Sequence, residues 1–269
     1  MVKKLFKHEF YAYLRTMLPM HIILLGIALL GRFVQLFEND STAYSIVFVS
    51  SVIVFIVGAI VCTVLTLVFG IRRFHTNLFS CEGYLSFTLP VTPTQHIWVK
   101  NIVAVIAQLV SLVTIALATC VITLGDVCNE IFKAFFYITK SMYAEIGFNT
   151  TLFTLEFIVF VVLAIATSYM LFYACIALGQ RAKKNRIGAA IGVFFIYYFV
   201  MQILSTIGII ILAVFEQQLR LPELFSYLEK HPVTAVHLVF GVSAVVYVIG
   251  FTIFYLVTRS SIKNKLNLE

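Results

Sequence analysis

One stretch decides the class of this protein: residues 44–70, YSIVFVSSVIVFIVGAIVCTVLTLVFG, run for 27 residues without a Lys, Arg, Asp or Glu. About 20 helical residues, rising 1.5 Å each, cross a hydrocarbon core roughly 30 Å thick. The whole chain has the same character, because 61% of its 269 residues are hydrophobic and 12% are charged. Soluble domains have about 45–50% and about 25%. The sequence therefore predicts an integral membrane protein.

Six stretches are long enough to span the membrane as helices. They cover approximately residues 17–37, 44–70, 97–124, 152–179, 188–215 and 234–258. Each is a continuous apolar run, whereas the strands of a membrane barrel would show about ten residues of strict alternation. The predicted fold class is all-α, a polytopic membrane protein with six transmembrane helices that form a single transmembrane domain, residues 1–269. The connecting segments 125–151 and 216–233 are predicted to form short amphipathic helices.

The distribution of Lys and Arg predicts the orientation, because basic residues in short loops are retained in the cytoplasm. With the N- and C-termini cytoplasmic, nine of the twelve acids fall outside. Fourteen of the nineteen basic residues fall inside: Lys3, Lys4, Lys7, Arg15, Arg72, Arg73, Lys100, Arg181, Lys183, Lys184, Arg186, Arg259, Lys263 and Lys265. Since these residues lie in separate loops, the net charge of +7 reflects topology, and no nucleic-acid partner is expected.

The segment before the first span, residues 1–16, is predicted to be an amphipathic interfacial helix on the inner face of the membrane. Its apolar positions recur at four- and three-residue steps: Phe6, Phe10, Tyr13 and Met17. An equally good interpretation is an ordinary basic flank that fixes the topology. The apolar run that follows is too long for the core of a cleaved signal peptide, so we expect it to remain as the first span.

The loop at residues 71–96 faces the cytoplasm in this orientation. Pro90 ends any helix that precedes it. Thr92 as N-cap, Pro93 at the first helical position and Gln95 three residues after the cap then predict the start of a new helix. Between them lies a compact segment whose apolar side chains are Tyr84, Leu85, Phe87 and Leu89. The pattern predicts a rigid connection between the second and third spans, with a helix stop at Pro90 and a helix start at Thr92.

Motifs for catalysis and for metal binding are missing from the sequence. It has no GxxxxGK[ST] phosphate loop, no HExxH zinc pair and no GxSxG nucleophile elbow, and its five cysteines have no CxxC spacing. We therefore expect no catalytic residue, no metal site and no enzymatic activity in this chain.

Four polar residues within the spans are candidates for a substrate path. Arg32 and Glu156 lie near the predicted outer ends of the first and fourth spans, whereas Gln108 and Gln202 lie deeper. Snorkelling to the interface is the favoured explanation of the two charged residues, and an Arg32–Glu156 pair that lines an exit path is the alternative. Interhelical hydrogen bonds explain the two glutamines. His21 and His237 are isolated in apolar surroundings and are interpreted as helix-packing or interface residues, not as ligands.

The cytoplasmic loop resembles that of type 2 permeases of ATP-binding cassette (ABC) exporters. The resemblance lies in Glu82-Gly83-Tyr84-Leu85, then Leu89-Pro90-Val91-Thr92, then Lys100. The six-span topology, the N-terminal helix and the segment EQQLRLPELFSYLEKHP before the last span are also similar to that family, so the likeness covers nearly the whole chain.

The resemblance implies a permease subunit that exports an amphipathic or hydrophobic substrate across the plasma membrane, typically the bacterial inner membrane. It implies three partners: a separate ABC ATPase that binds ATP and Mg²⁺, a second permease half (identical or a paralogue), and membrane lipid. No cofactor is expected on this chain. The implied ATPase-docking residues are Glu82, Gly83, Tyr84, Leu85, Phe87, Leu89 and Pro90. The alternatives are a stand-alone secondary transporter, which would need charges at mid-depth, and a membrane enzyme.

Overall fold

The computed structural model describes residues 1–38, 41–80, 83–84, 88, 90–182, 184–216 and 218–264. These residues form eight helices: α1 (Val2–Gln35), α2 (Thr42–Phe79), α3 (Pro93–Ile122), α4 (Asp126–Ile146), α5 (Asn149–Gly179), α6 (Arg186–Val214), α7 (Leu221–Lys230) and α8 (Pro232–Asn264). Helices α1, α2, α3, α5, α6 and α8 are long and apolar enough to cross a membrane. The prediction of an all-α protein with six spans is confirmed.

The helices extend past the predicted spans at several ends. Helix α2 continues to Phe79, nine residues beyond the predicted span. Residues 2–16 are helical as predicted, and they join the first span without interruption in α1, which contains Pro19. The two amphipathic segments are also helices, α4 and α7.

The start of α3 has the predicted cap. The Thr92 side chain accepts a hydrogen bond from the backbone N–H of Gln95, and the Gln95 side chain accepts one from the N–H of Thr92. Pro93 occupies the first turn, where its missing N–H leaves no hydrogen bond unmade. This reciprocal capping box confirms the predicted boundary between the loop and the third span.

The chain divides into two compact units, residues 1–76 with 85–141 and residues 77–84 with 142–269. In the first unit, α1, α2 and α3 pack around one apolar cluster. Its buried members are Leu24, Ala28, Phe55, Cys62, Ala118 and Ile122. Small residues at Ala28 and Ala118, both fully buried, allow the helices to approach closely.

In the second unit, α5 packs against α6 and α8. Phe172 stacks on Phe194 of α6, and Phe160 meets Tyr247 of α8 edge to face. The end of α5 approaches α6 very closely, since a Cβ placed on Gly179 would lie 2.6 Å from Ala190 Cβ. The other face of α6 is exposed, as expected of a helix that meets lipid or a further transmembrane segment.

Candidate functional sites

Three charged side chains meet in the first unit, one from each of α1, α2 and α3. Lys100 Nζ donates to Glu9 Oε1 at 2.7 Å, and Arg73 Nε donates to Glu9 Oε2 at 2.5 Å. The side chains of Glu9 and Lys100 are 3% and 4% exposed, and that of Arg73 is 17% exposed. Glu9, Arg73 and Lys100, called here the charged triad, join helices that are far apart in sequence.

Taken by itself, the charged triad carries one surplus positive charge, because it consists of one carboxylate and two cations. Burying charges is costly, and the cost is recovered only when they are paired and hydrogen-bonded. Both Glu9 oxygens accept a charge-assisted hydrogen bond. Arg73, the most exposed member, has the shortest route to water for its remaining donors. Glu9 therefore stabilises buried Lys100 and half-buried Arg73, and the arrangement joins the N-terminal turns of α1 to α2 and α3.

A second polar cluster lies deeper in the same unit. His21 Nε2 is 2.9 Å from Ser111 Oγ, which is 2.9 Å from Thr66 Oγ1. Ser111 also donates to the carbonyl of Ala107 at 3.1 Å. Thr66 Oγ1 also lies 2.9 Å from the carbonyl oxygen of Cys62, so its single proton serves either that carbonyl or Ser111. His21, Thr66 and Ser111 form one hydrogen-bonded chain across α1, α2 and α3.

This cluster lies within α1, a helix long and apolar enough to cross a membrane. His21 is twelve residues from Glu9 and fourteen from Gln35, or ~18 Å and ~21 Å along the helix axis. The interpretation of His21 as a packing residue is thus extended: it packs between helices through a hydrogen bond.

The two predicted span glutamines have different surroundings. Gln108 is buried, 6% exposed, one turn before Ser111 on α3. Gln202 is exposed near the middle of α6. Buried Gln108 suits interhelical hydrogen bonding, whereas exposed Gln202 faces away from the described part of the chain. A role of either residue in a substrate path stays a prediction.

The two charged candidates each have a partner within their own unit. Arg32 Nη1 donates to Gln35 Oε1 at 2.7 Å. Glu156 Oε1 lies 2.7 Å from His237 Nδ1, and the His237 ring packs on Phe153 with ring centroids 4.5 Å apart. His237 is therefore an ionic or hydrogen-bonding partner as well as a packing residue. The Arg32–Glu156 pair stays a prediction.

The predicted docking segment is described only in part. Glu82, Leu85, Phe87 and Leu89 lie outside the described residues. Gly83 is buried, and its N–H donates to the carbonyl of Ser80 at 2.7 Å. Tyr84 is 58% exposed, and Pro90 is exposed as well. An exposed tyrosine next to a hydrogen-bonded turn is suited to contact with a partner, and the docking role itself stays a prediction.

The charged triad is the site that sequence reasoning missed. Glu9 lies four residues before Tyr13 and eight before Met17, on the same face of α1, and all three residues are buried. This spacing was visible in the sequence as a lone acid on the buried face of a basic helix. Its partners are 64 and 91 residues away, and nothing local identifies them.

Comparison with protein-family models, with curated proteins and with solved structures gives no match.

Proposed function

We propose that this multi-pass membrane protein is the permease subunit of an ABC exporter in the plasma membrane, specifically a bacterial inner membrane. One observation carries the proposal: α2 ends at Phe79, α3 begins at Pro93 with the Thr92 capping box, and Arg73 of α2 and Lys100 of α3 both bind Glu9, so these two helices form a hairpin at the loop that resembles the exporter docking loop. The six membrane-crossing helices and the likeness of the loop at residues 82–92 to exporter permeases support it. The cargo is an amphipathic or hydrophobic molecule.

The proposed assignment of ATP hydrolysis to a separate subunit is supported by the motifs that this sequence lacks. Without a phosphate loop in the sequence, ATP and Mg²⁺ bind to a separate ATPase subunit, and a second permease half, identical or paralogous, completes the path. The ATPase docks on the segment from Glu82 to Pro90. This chain supplies the docking segment and half of the path, and it has no enzymatic activity of its own.

Force applied to the docking segment would enter the membrane through α2 and α3. The charged triad lies at the base of this hairpin, since Arg73 precedes the end of α2 by six residues and Lys100 follows the start of α3 by seven. Glu9 ties α1 to both helices. Because buried charge-assisted hydrogen bonds are strong and directional, the three helices would move as one body when the ATPase closes.

The test is ATPase association by the purified full-length chain. The tagged chain is isolated from its native host in detergent, and the Mg²⁺-dependent hydrolysis of ATP by the preparation is measured. We expect the double substitution Glu82→Ala plus Leu85→Asp to remove the co-purifying activity by at least about 30-fold, since losing an interface anchor costs 2 kcal/mol or more.

The matched control carries the same two changes on the predicted outer side, Glu223→Ala plus Leu224→Asp in α7. This variant should keep the ATPase. Full hydrolysis with the loop variant, or equal loss with both variants, would contradict docking at the loop.

The second candidate function is a stand-alone secondary transporter, which the cluster of His21, Thr66 and Ser111 favours. A titratable side chain hydrogen-bonded between membrane-crossing helices is a typical element of a proton-coupled carrier. The two functions separate in proteoliposomes that contain only this chain. Transport driven by a pH gradient and abolished by His21→Ala would support the carrier, whereas the exporter subunit would be inactive until the ATPase and ATP are added.

A further inference from the structure

A cleft of about 800 Å³ opens in the first unit, at the end opposite the charged triad. Helices α1, α2 and α3 and the turn at Gly125 form its walls. Its volume falls in the range of small-molecule sites, roughly 300–1,000 Å³. Its position on α1, where Arg32 and Gln35 line it, is ~35–39 Å along the helix from Glu9, so it lies at the level of the opposite membrane interface.

The cleft is polar at one edge and apolar along its wall. Arg32, Glu38 and Tyr44 line the polar edge, whereas Phe48 and Phe55 line the wall on α2, together with Val52 and Ile56. The apolar residues follow one face of α2 at steps of four and three. A ligand that fills the cleft must therefore carry a polar head and a hydrocarbon portion at least two helical turns long, ~11 Å.

The guanidinium of Arg32 is held in place at the polar edge. It donates to Gln35 Oε1, and the Gln35 amide in turn donates to the carbonyl of Ile122 at 2.8 Å. Its Nη2 atom lies close to Gly125: a Cβ added to Gly125 would be 3.4 Å from Arg32 Nη2. Gly125 has φ +110°, a conformation that side chains disfavour. The turn thus leaves the space beside Arg32 open while the neutral Gln35 fixes its direction.

The two charges of the polar edge are not joined to each other. Within the described ranges, Arg32 forms no ion pair with a carboxylate, and the Glu38 side chain forms no hydrogen bond. A cation and an anion that line one cleft without pairing are complementary to a head group bearing both charges. Arg is well suited to phosphate oxygens because its planar donors match their geometry.

We propose that this cleft is a binding site for a zwitterionic glycerophospholipid with a phosphoethanolamine head group. The phosphate binds Arg32, the ammonium binds Glu38, and one acyl chain lies along the wall of Phe48, Val52 and Ile56. The site does not depend on the proposed function, because a phospholipid seated here could be cargo or a structural lipid.

The test is a lipid titration of the delipidated full-length chain in detergent, followed by native mass spectrometry. Four probes separate the contributions: phosphatidylethanolamine, phosphatidylglycerol, diacylglycerol with the same chains, and soluble phosphoethanolamine. We expect the wild type to bind phosphatidylethanolamine at least tenfold more tightly than any of the other three. Arg32→Gln should remove this preference by weakening phosphatidylethanolamine about tenfold or more.

Two further variants keep the result interpretable if Arg32→Gln folds poorly. Glu38 is exposed, so Glu38→Gln should fold normally and should shift the preference several-fold from phosphatidylethanolamine towards phosphatidylglycerol. Ile56→Trp fills the apolar wall and should weaken both diacyl phospholipids together. The matched control is Arg220→Gln, an arginine at the predicted outer side in the second unit, which should bind like the wild type.

Three results would overturn the proposal. The first is unchanged phosphatidylethanolamine binding by both Arg32→Gln and Glu38→Gln. The second is equal affinity for diacylglycerol, which would mean that the charged edge does not participate. The third is equal affinity for soluble phosphoethanolamine, which would mean that the cleft takes a free phosphate compound and not a lipid.

Discussion

Replacing Glu9 by alanine is expected to lower the free energy of unfolding by about 3–5 kcal/mol, the usual cost of removing one partner from a buried ion pair. The change removes the carboxylate that binds both Lys100, 4% exposed, and Arg73. Two like charges would then repel each other in a low dielectric. Equilibrium unfolding by SDS in mixed micelles measures the effect.

Two companion variants isolate the electrostatic cause. Glu38→Ala removes an exposed acid just beyond the other end of α1 and should change stability by less than about 0.5 kcal/mol. Adding Lys100→Met to Glu9→Met should recover most of the loss, because an apolar pair replaces the ion pair and Arg73, 17% exposed, can reach water. A Glu9→Ala loss no larger than that of Glu38→Ala would contradict the buried triad.

Substituting Gly179 by alanine is expected to destabilise the second unit by about 1–3 kcal/mol through overpacking. The new Cβ would lie 2.6 Å from the backbone nitrogen of Ala190 and 2.7 Å from its Cα. Because these are backbone atoms, relief requires the start of α6 to move away from α5. The same SDS titration detects the change.

Gly192 provides the matched control on the same helix pair. A Cβ at Gly192 has no atom within 4 Å, so Gly192→Ala should be neutral or stabilise α6 by up to about 1 kcal/mol through helix propensity. Equal effects of the two substitutions would mean that the close approach of α5 and α6 does not contribute to stability.

The helices could be predicted because their causes are local. An apolar run of sufficient length identifies a span. The reciprocal cap at Thr92 depends on four consecutive residues, 92–95. The amphipathic period predicts the helix over residues 2–16, whereas its continuity with the first span and the extension of α2 to Phe79 are not local properties, since polar turns of a helix continue wherever tertiary contacts support them. Glu9 and Arg73 supply such a contact for these two extensions.

The sites could be predicted only in part because their causes are distant in sequence. His21 was interpreted as isolated in apolar surroundings, yet its partner Ser111 is 90 residues away. Arg32 and Glu156 were each identified as candidates from their depth, but their local partners, Gln35 and His237, depend on helix rotation. Rotation about the helix axis, which decides which polar residues meet, is set by packing and is weakly encoded in a continuously apolar span.

The proposed docking of an ATPase requires that the loop between α2 and α3 lies in the cytoplasm. The direct measurement is labelling of Cys81 with a membrane-impermeant maleimide in a variant whose other four cysteines are replaced. Tyr137→Cys in α4, an exposed position on the predicted outer side, serves as the control in a fully cysteine-free background.

We predict that Cys81 is labelled in inside-out vesicles and protected in intact cells, and that the cysteine at position 137 shows the reverse pattern. Labelling of Cys81 in intact cells, with position 137 protected, would place the loop outside the cell and contradict the account.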